Sequence, residues 1–149
     1  MNNKPLMALF EENELNISSL YLIYAQKIPS QYDFWKKLSD DEISHAADIS
    51  RNKNNLGDIA ETNFSRGVVK HVMSFVLKEI ERATQNKITH HEALLAALRI
   101  ERSMLEKKCF EIFRPTNKKV ENMLCKLNRE TEEHVARLTQ EMKKNKFVF

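Results

Sequence analysis

Residues 35–49 read WKKLSDDEISHAADI, and this stretch decides how the chain folds. Its apolar side chains recur at helical spacing, at Trp35, Leu38, Ala46 and Ile49. Glu42 and His45 lie on that same face, because residues three apart are neighbours on a helix surface. A carboxylate and an imidazole therefore point toward the predicted core. Burying a charge without a partner is costly, and metal coordination is a common way to neutralise it.

Composition predicts one all-α domain spanning residues 1–149. The chain has only 2 glycines and 3 prolines, and a domain of this length can bury a large core. The net charge is +3 with both signs interspersed, which argues against a nucleic-acid interface. The sequence contains no apolar run long enough for a membrane span and no charged-then-apolar leader. Cys109 and Cys125 form no CxxC pair, so we expect reduced thiols in or near the core and a cytoplasmic location.

Breakers and polar stretches divide the chain into four main helices. Their expected ranges are about 6–28, 30–51, 89–114 and 116–144, and the prolines at 29 and 115 separate the members of each pair. Thr89 and Glu92 form a capping-box pattern at the start of the third of these helices. The stretch 52–67 is the longest predicted loop, and an amphipathic segment at 69–81 follows it. We therefore predict a four-helix bundle whose long crossover contains an additional helix.

Polar residues on apolar helix faces lie at matched distances from the predicted turn of the first hairpin. Glu14 shares a face with Phe10, Ile17 and Tyr21, and it lies about as far before Pro29 as Glu42 lies after it. At about 1.5 Å per residue, the two carboxylates come to the same depth.

The second hairpin repeats this arrangement around Pro115. Glu101 shares a face with leucines before the turn, and Glu130 lies about equally far beyond it. His134 follows Glu130 by one helical turn. Each hairpin thus carries a carboxylate, a turn, a second carboxylate and an imidazole.

Several segments together resemble the ferritin-like di-iron carboxylate proteins of the rubrerythrin type. The resemblance rests on Glu14, Leu20-Tyr21, Tyr24-Ala25, Phe34-Trp35, Glu42-x-x-His45-Ala46, Glu101 and Glu130-Thr131 with His134. It implies a ferritin-like four-helix bundle that binds two iron ions, with manganese and zinc as alternatives. The implied metal ligands are Glu14, Glu42, His45, Glu101, Glu130 and His134. Tyr21 is the candidate catalytic residue, by hydrogen bonding to a ligand or relaying protons; a simply packed aromatic is the alternative.

The function that follows from the resemblance is a peroxide-reducing or ferroxidase-type oxidoreductase in oxidative-stress or iron handling. Its co-substrate would be hydrogen peroxide or dioxygen. The chain lacks a rubredoxin-like CxxC…CxxC module, so electrons would have to come from a separate donor protein. A homodimer is a further expectation, because such bundles often pair.

Helix 116–144 departs from the family pattern, and this departure keeps a second hypothesis open. Thr131 occupies the position three before His134 where the pattern has Glu, and Glu130 lies four before it. If Glu130 does not reach the site, the second metal is weak or absent. The alternative function is a ferritin-like metal-binding or interaction protein without redox turnover. Separately, Glu42 could be a capping residue paired with Ser39, and Glu130 could belong to a solvated charge run.

Overall fold

Five helices form the protein in the computed structural model, which describes residues 5–52, 59–60, 63–105, 114–115 and 118–149. They are α1 (Leu6–Lys27), α2 (Tyr32–Arg51), α3 (Asn63–Gln85), α4 (His90–Leu105) and α5 (Lys118–Lys144). A 3-10 turn at Pro29–Gln31 joins α1 to α2. The two-residue strands β1 (Ile59–Ala60) and β2 (Arg114–Pro115) pair antiparallel. The predicted all-α class is confirmed. Among the described residues, no helix combines the length and apolar character that crossing a bilayer requires.

The helices pack as two hairpins with an added helix. In the first hairpin α1 packs on α2, in the second α4 packs on α5, and α2 also contacts α5. The crossover helix α3 packs mainly on α1 and also contacts α4. The predicted bundle with a helix in its crossover is thus present. The predicted loop 52–67 is partly wrong, because α3 already begins at Asn63. Residues 53–58 and 61–62 lie outside the described residues.

Two buried serines set the register of the first hairpin. The Ser18 hydroxyl donates to the Ser39 carbonyl oxygen at 2.9 Å, and the Ser39 hydroxyl donates to the Ser18 carbonyl oxygen at 2.8 Å. These small side chains allow α1 and α2 to approach closely at this level. Glu14 lies one turn before Ser18, and Glu42 lies one turn after Ser39 in the antiparallel partner. The serine pair therefore brings the two carboxylates to one depth, as their spacing from Pro29 predicts.

The predicted capping box at the start of α4 is confirmed. The Thr89 backbone N–H donates to Glu92 Oε1 at 3.0 Å, and the Glu92 backbone N–H donates to Thr89 Oγ1 at 3.1 Å. These bonds satisfy donors that the first turn of a helix leaves unpaired. Cys125 is a free thiol, as expected, but its expected position in or near the core is wrong because it is exposed. Cys109 lies outside the described residues.

Candidate metal centre

Five ionisable side chains point into the interior of the bundle. They are Glu14, Glu42, His45, Glu101 and His134, and each residue is at most 3% exposed. Their burial agrees with the helix faces assigned from the sequence. Within the described ranges, no lysine or arginine forms an ion pair with these three carboxylates. A buried cluster of acids whose only cationic partners among the described residues are histidines is the setting in which a bound cation lowers the free energy.

Glu42 lies at the centre of the cluster and belongs to two groups of candidate ligands. Glu14, Glu42 and His45 form the first trio, and Glu42, Glu101 and His134 form the second. In each trio one ligand atom per residue lies within 4.8 Å of the others. Because the trios share a carboxylate with two oxygens, each trio could hold a cation, with Glu42 as the ligand common to both.

Both histidines present Nδ1 to the carboxylates. His45 Nδ1 lies 3.2 Å from Glu42 Oε2 and 3.9 Å from Glu14 Oε2. His134 Nδ1 lies 3.1 Å from Glu42 Oε1 and 3.2 Å from Glu101 Oε1. The two imidazole rings stack at a centroid distance of 5.5 Å. One nitrogen of each ring is therefore aimed at its own trio, and the two trios face each other.

The opposite nitrogens of the two rings face outer carboxylates. His134 Nε2 lies 3.1 Å from Asp41 Oδ2, and His45 Nε2 lies 3.5 Å from Glu130 Oε1. Such outer carboxylates fix the orientation and raise the basicity of metal-binding histidines. Asp41 and Glu130 each lie one turn before the histidine of their own hairpin and contact the histidine of the other hairpin. Asp41 thus links the two hairpins through its hydrogen bond to His134, whereas Glu130 Oε1 faces His45 Nε2 without forming a hydrogen bond.

The position of Glu130 differs from that of the other predicted ligands. Its side chain is 31% exposed, and it belongs to neither trio. The buried residue on this turn is Thr131, whose hydroxyl donates to the Leu127 carbonyl oxygen at 2.8 Å. Thr131 on α5 therefore occupies the position that corresponds to Glu42 on α2. Its hydroxyl is already bonded to the backbone of its own helix. Ligation by Glu130 stays a prediction.

Tyr21 contacts the site through its hydroxyl, which donates to Glu101 Oε1 at 2.8 Å. Its ring is fully buried. Burial, then the nearby charges of Glu101 and Glu42, raises the pKa of the Tyr21 hydroxyl well above its usual value. The phenol is thus held protonated and fixes the orientation of one candidate ligand.

The ionisation of the site without metal reflects its crowded charges. Burial, followed by the proximity of Glu42, raises the pKa of Glu14 well above its usual value. Burial by itself would lower the pKa of both histidines, but hydrogen bonds and charges from the carboxylates outweigh it and raise the pKa of His45 and of His134 to about 11. Protons therefore hold the cluster together when no cation does.

Two buried atoms in the cluster have no hydrogen-bond partner. These are Glu42 Oε1 and His45 Nε2, neither of which forms a hydrogen bond among the described residues. Unsatisfied buried polar atoms are rare and mark a missing ligand, ion or water. Carboxylate oxygens and imidazole nitrogens suit divalent iron, manganese or zinc, so the residues present fit a bound metal.

Sequence analysis missed Asp41 as a partner of the site. Burial would raise its pKa, but hydrogen bonds from Lys37 and His134 outweigh that effect and lower it. Arg137 Nη1 also donates to Asp41 Oδ2, at 3.2 Å. The available signal was its position next to Glu42 and one turn before His45, on the edge of the same helix face.

The local sequence pattern does not predict the packing of His90. Its side chain is 10% exposed, and its ring lies against Phe34, Trp35 and Phe147. Phe147, near the end of the chain, is partly buried, and the His91 ring stacks on it at a centroid distance of 4.5 Å. Nothing in the local pattern of α4 distinguishes these contacts, since their partners come from α2 and the chain end.

No family model, no curated protein and no solved structure matches this chain.

Proposed function

We propose that the protein is a rubrerythrin-like di-iron oxidoreductase that reduces hydrogen peroxide, with ferrous-ion oxidation as the related activity. The observation that supports it is the shared position of Glu42 in two trios of buried ligands. A bridging carboxylate holds two metal ions about 3.5–4 Å apart, close enough for one peroxide or dioxygen to contact both. When bound, two ferrous ions would supply the two electrons that, together with two protons, convert one hydrogen peroxide to two waters without releasing a radical.

The donor set supports iron as the metal. Three carboxylates and two imidazoles provide mostly hard oxygen ligands, which suit iron and manganese, and the imidazoles also admit zinc. Three negative charges do not fully balance two divalent cations. Glu130, with Oε1 at 3.5 Å from His45 Nε2, is an additional carboxylate that could compensate. The roles proposed for the chain are ligation by the five trio residues, orientation of the histidines by Asp41 and Glu130, and orientation of Glu101 by Tyr21.

The test of this proposal is metal analysis followed by a peroxide assay. Protein produced in iron-supplemented medium should contain about two irons per chain, as the two-trio geometry implies. The reduced protein should consume hydrogen peroxide, and a reductase-type donor protein should sustain turnover. Fewer than about one metal per chain would exclude a dinuclear centre. Full metal content without peroxide consumption would exclude the redox function but not the site.

One observation favours a second candidate function, a metal-binding or interaction protein without redox turnover. Thr131 is buried at the position corresponding to Glu42, and its hydroxyl is bonded to Leu127. A site with one carboxylate fewer on α5 would bind its second ion weakly and accept zinc as readily as iron. Replacing Thr131 with Glu distinguishes the two candidates. The metal content should rise if the site is deficient and change little if two ions already bind.

A further inference from the structure

Aromatic rings connect the candidate metal centre to the protein surface. Tyr21, whose hydroxyl contacts Glu101, has its ring centroid 5.6 Å from that of Trp35. Tyr24 lies beside both, at 4.9 Å from Trp35 and 6.4 Å from Tyr21. All three rings are at most 1% exposed. Tyrosine and tryptophan are the side chains whose rings are most readily oxidised by one electron, so a contiguous buried set can pass charge.

Trp35 is hydrogen-bonded to His90, a base that belongs to neither trio of candidate metal ligands. Its indole Nε1–H donates to His90 Nδ1 at 3.1 Å. Because Nδ1 accepts this bond, the proton of the neutral imidazole is on Nε2, which lies 3.1 Å from Glu141 Oε1. Asn145 Nδ2 also donates to this carboxylate oxygen, at 3.2 Å. The arrangement is a donor, a base and an acid anion in series.

This series ends at a charged cleft on the surface. The cleft has a volume of about 620 Å³ and is lined by Phe34, Arg137, Gln140, Glu141, Lys143 and Lys144. Three of these side chains are cationic, and the single carboxylate is the one bonded to His90. A positively charged rim raises the local concentration of anions. The cleft is therefore suited to a negatively charged small reductant.

We propose that Trp35 is a proton-coupled redox residue that carries electrons from an anionic one-electron reductant in this cleft to the metal centre. The inference rests on the proposed function for its electron acceptor, a centre oxidised by hydrogen peroxide. The role of His90 as proton acceptor rests only on the hydrogen bonds that join Trp35, His90 and Glu141. Tyr21 supplies the ring between Trp35 and the ligand Glu101.

The proposed step balances in electrons and protons. Trp35 loses one electron toward hydrogen peroxide held at the centre, its Nε1–H bond breaks, and the proton forms a new bond to His90 Nδ1. The positive charge on the imidazole is stabilised by the Glu141 carboxylate. The reductant then gives one electron to the neutral indolyl radical, and the proton returns to Nε1. Two such passages, with two protons from water, reduce one hydrogen peroxide to two waters.

The first experiment uses metal-free protein and pulse radiolysis with the azide radical, which oxidises tryptophan. Trp35 is the single tryptophan, so the optical signal is unambiguous. The wild type should form the neutral indolyl radical directly, whereas His90→Phe and His90→Gln should show a long-lived cation radical. His90→Gln retains a hydrogen-bond acceptor without a base, which separates proton transfer from packing. His91→Gln is the matched control. The same cation lifetime in wild type and both His90 variants would overturn the role of His90.

The same radical tests the cleft. Ascorbate, an anionic one-electron reductant, should reduce the Trp35 radical more slowly after Lys143→Glu and Lys144→Glu. Lys70→Glu with Lys78→Glu, on exposed positions of α3, changes the net charge equally and should leave the rate unaltered. Equal rates in the two double variants would overturn the assignment of the cleft.

The last experiment uses iron-loaded protein mixed with hydrogen peroxide and frozen for electron paramagnetic resonance. A transient tryptophan radical should appear in wild type and be lost in Trp35→Phe, while the iron content of both proteins stays equal. A radical of unchanged yield in Trp35→Phe, or none in wild type that holds iron, would overturn the conduit. Protein that binds no iron would instead refute the proposed function, and the metal-free measurement would still decide the role of His90.

Discussion

The substitution Glu42→Gln should abolish binding of both metals, whereas Glu14→Gln should abolish binding of one. Glu42 supplies a donor to each trio, so its loss leaves each ion with two of its three protein ligands. Glu14 belongs to the first trio alone, and its loss leaves the second trio intact. The change to Gln preserves shape and removes the charge, which makes the two variants directly comparable.

The expected size of the effect follows from binding linkage. A ligand present at 100 times its dissociation constant stabilises the native state by about 2.7 kcal/mol per site. For a domain of this size, about 1 kcal/mol changes the melting temperature by about 2–4 °C. Adding ferrous ion without oxygen should therefore raise the melting temperature by about 5–10 °C per occupied site. The rise should vanish in Glu42→Gln and fall to about half in Glu14→Gln.

The measurements are metal content by mass spectrometry and thermal unfolding followed by circular dichroism with and without metal. Glu133→Gln, at an exposed position of α5, is the control and should behave as wild type. If Glu42→Gln retains as much metal as Glu14→Gln, Glu42 is not a ligand shared by the two trios.

Three further predictions concern proton release on metal binding, the role of Asp41 and the capping box of α4. Both site histidines have a pKa of about 11 without metal, and the pKa of Glu14 is raised, so a binding metal must displace protons. The apparent metal affinity should therefore rise with pH, and the heat of binding in calorimetry should vary with the ionisation enthalpy of the buffer. A heat that is the same in all buffers would contradict proton release. Asp41→Asn should weaken metal binding by about 10–100-fold in competition titrations. Asp40→Asn, which also removes a lysine partner, should not, and equal losses would contradict the orienting role of Asp41. Thr89→Ala should lower the free energy of unfolding by about 1 kcal/mol in urea titrations, and an unchanged midpoint would show that the capping box contributes nothing.

Local sequence patterns were sufficient to predict the main helices and the inward direction of the five trio residues. Helical spacing places Glu42 and His45 on the apolar face of α2. Pro29 marks the turn after which α2 runs back along α1, and this brings Glu42 to the depth of Glu14 in the bundle. These are local properties, because the 3.6-residue period and the breakers act within one helix or one hairpin. The capping box of α4 is local for the same reason.

The packing of the helices against one another, which the sequence pattern does not specify, sets which atoms face one another across the site. Glu130 and Thr131 are neighbours on α5, and the packing of α5 against α2 left Thr131 buried and turned Glu130 toward the outer nitrogen of His45. The same packing recruited Asp41 to His134. The side chain of His90 is largely buried because α2 and the chain end cover it. A rotation of a few tens of degrees about a helix axis changes such partners without changing the apolar pattern, so only packing between helices could fix them.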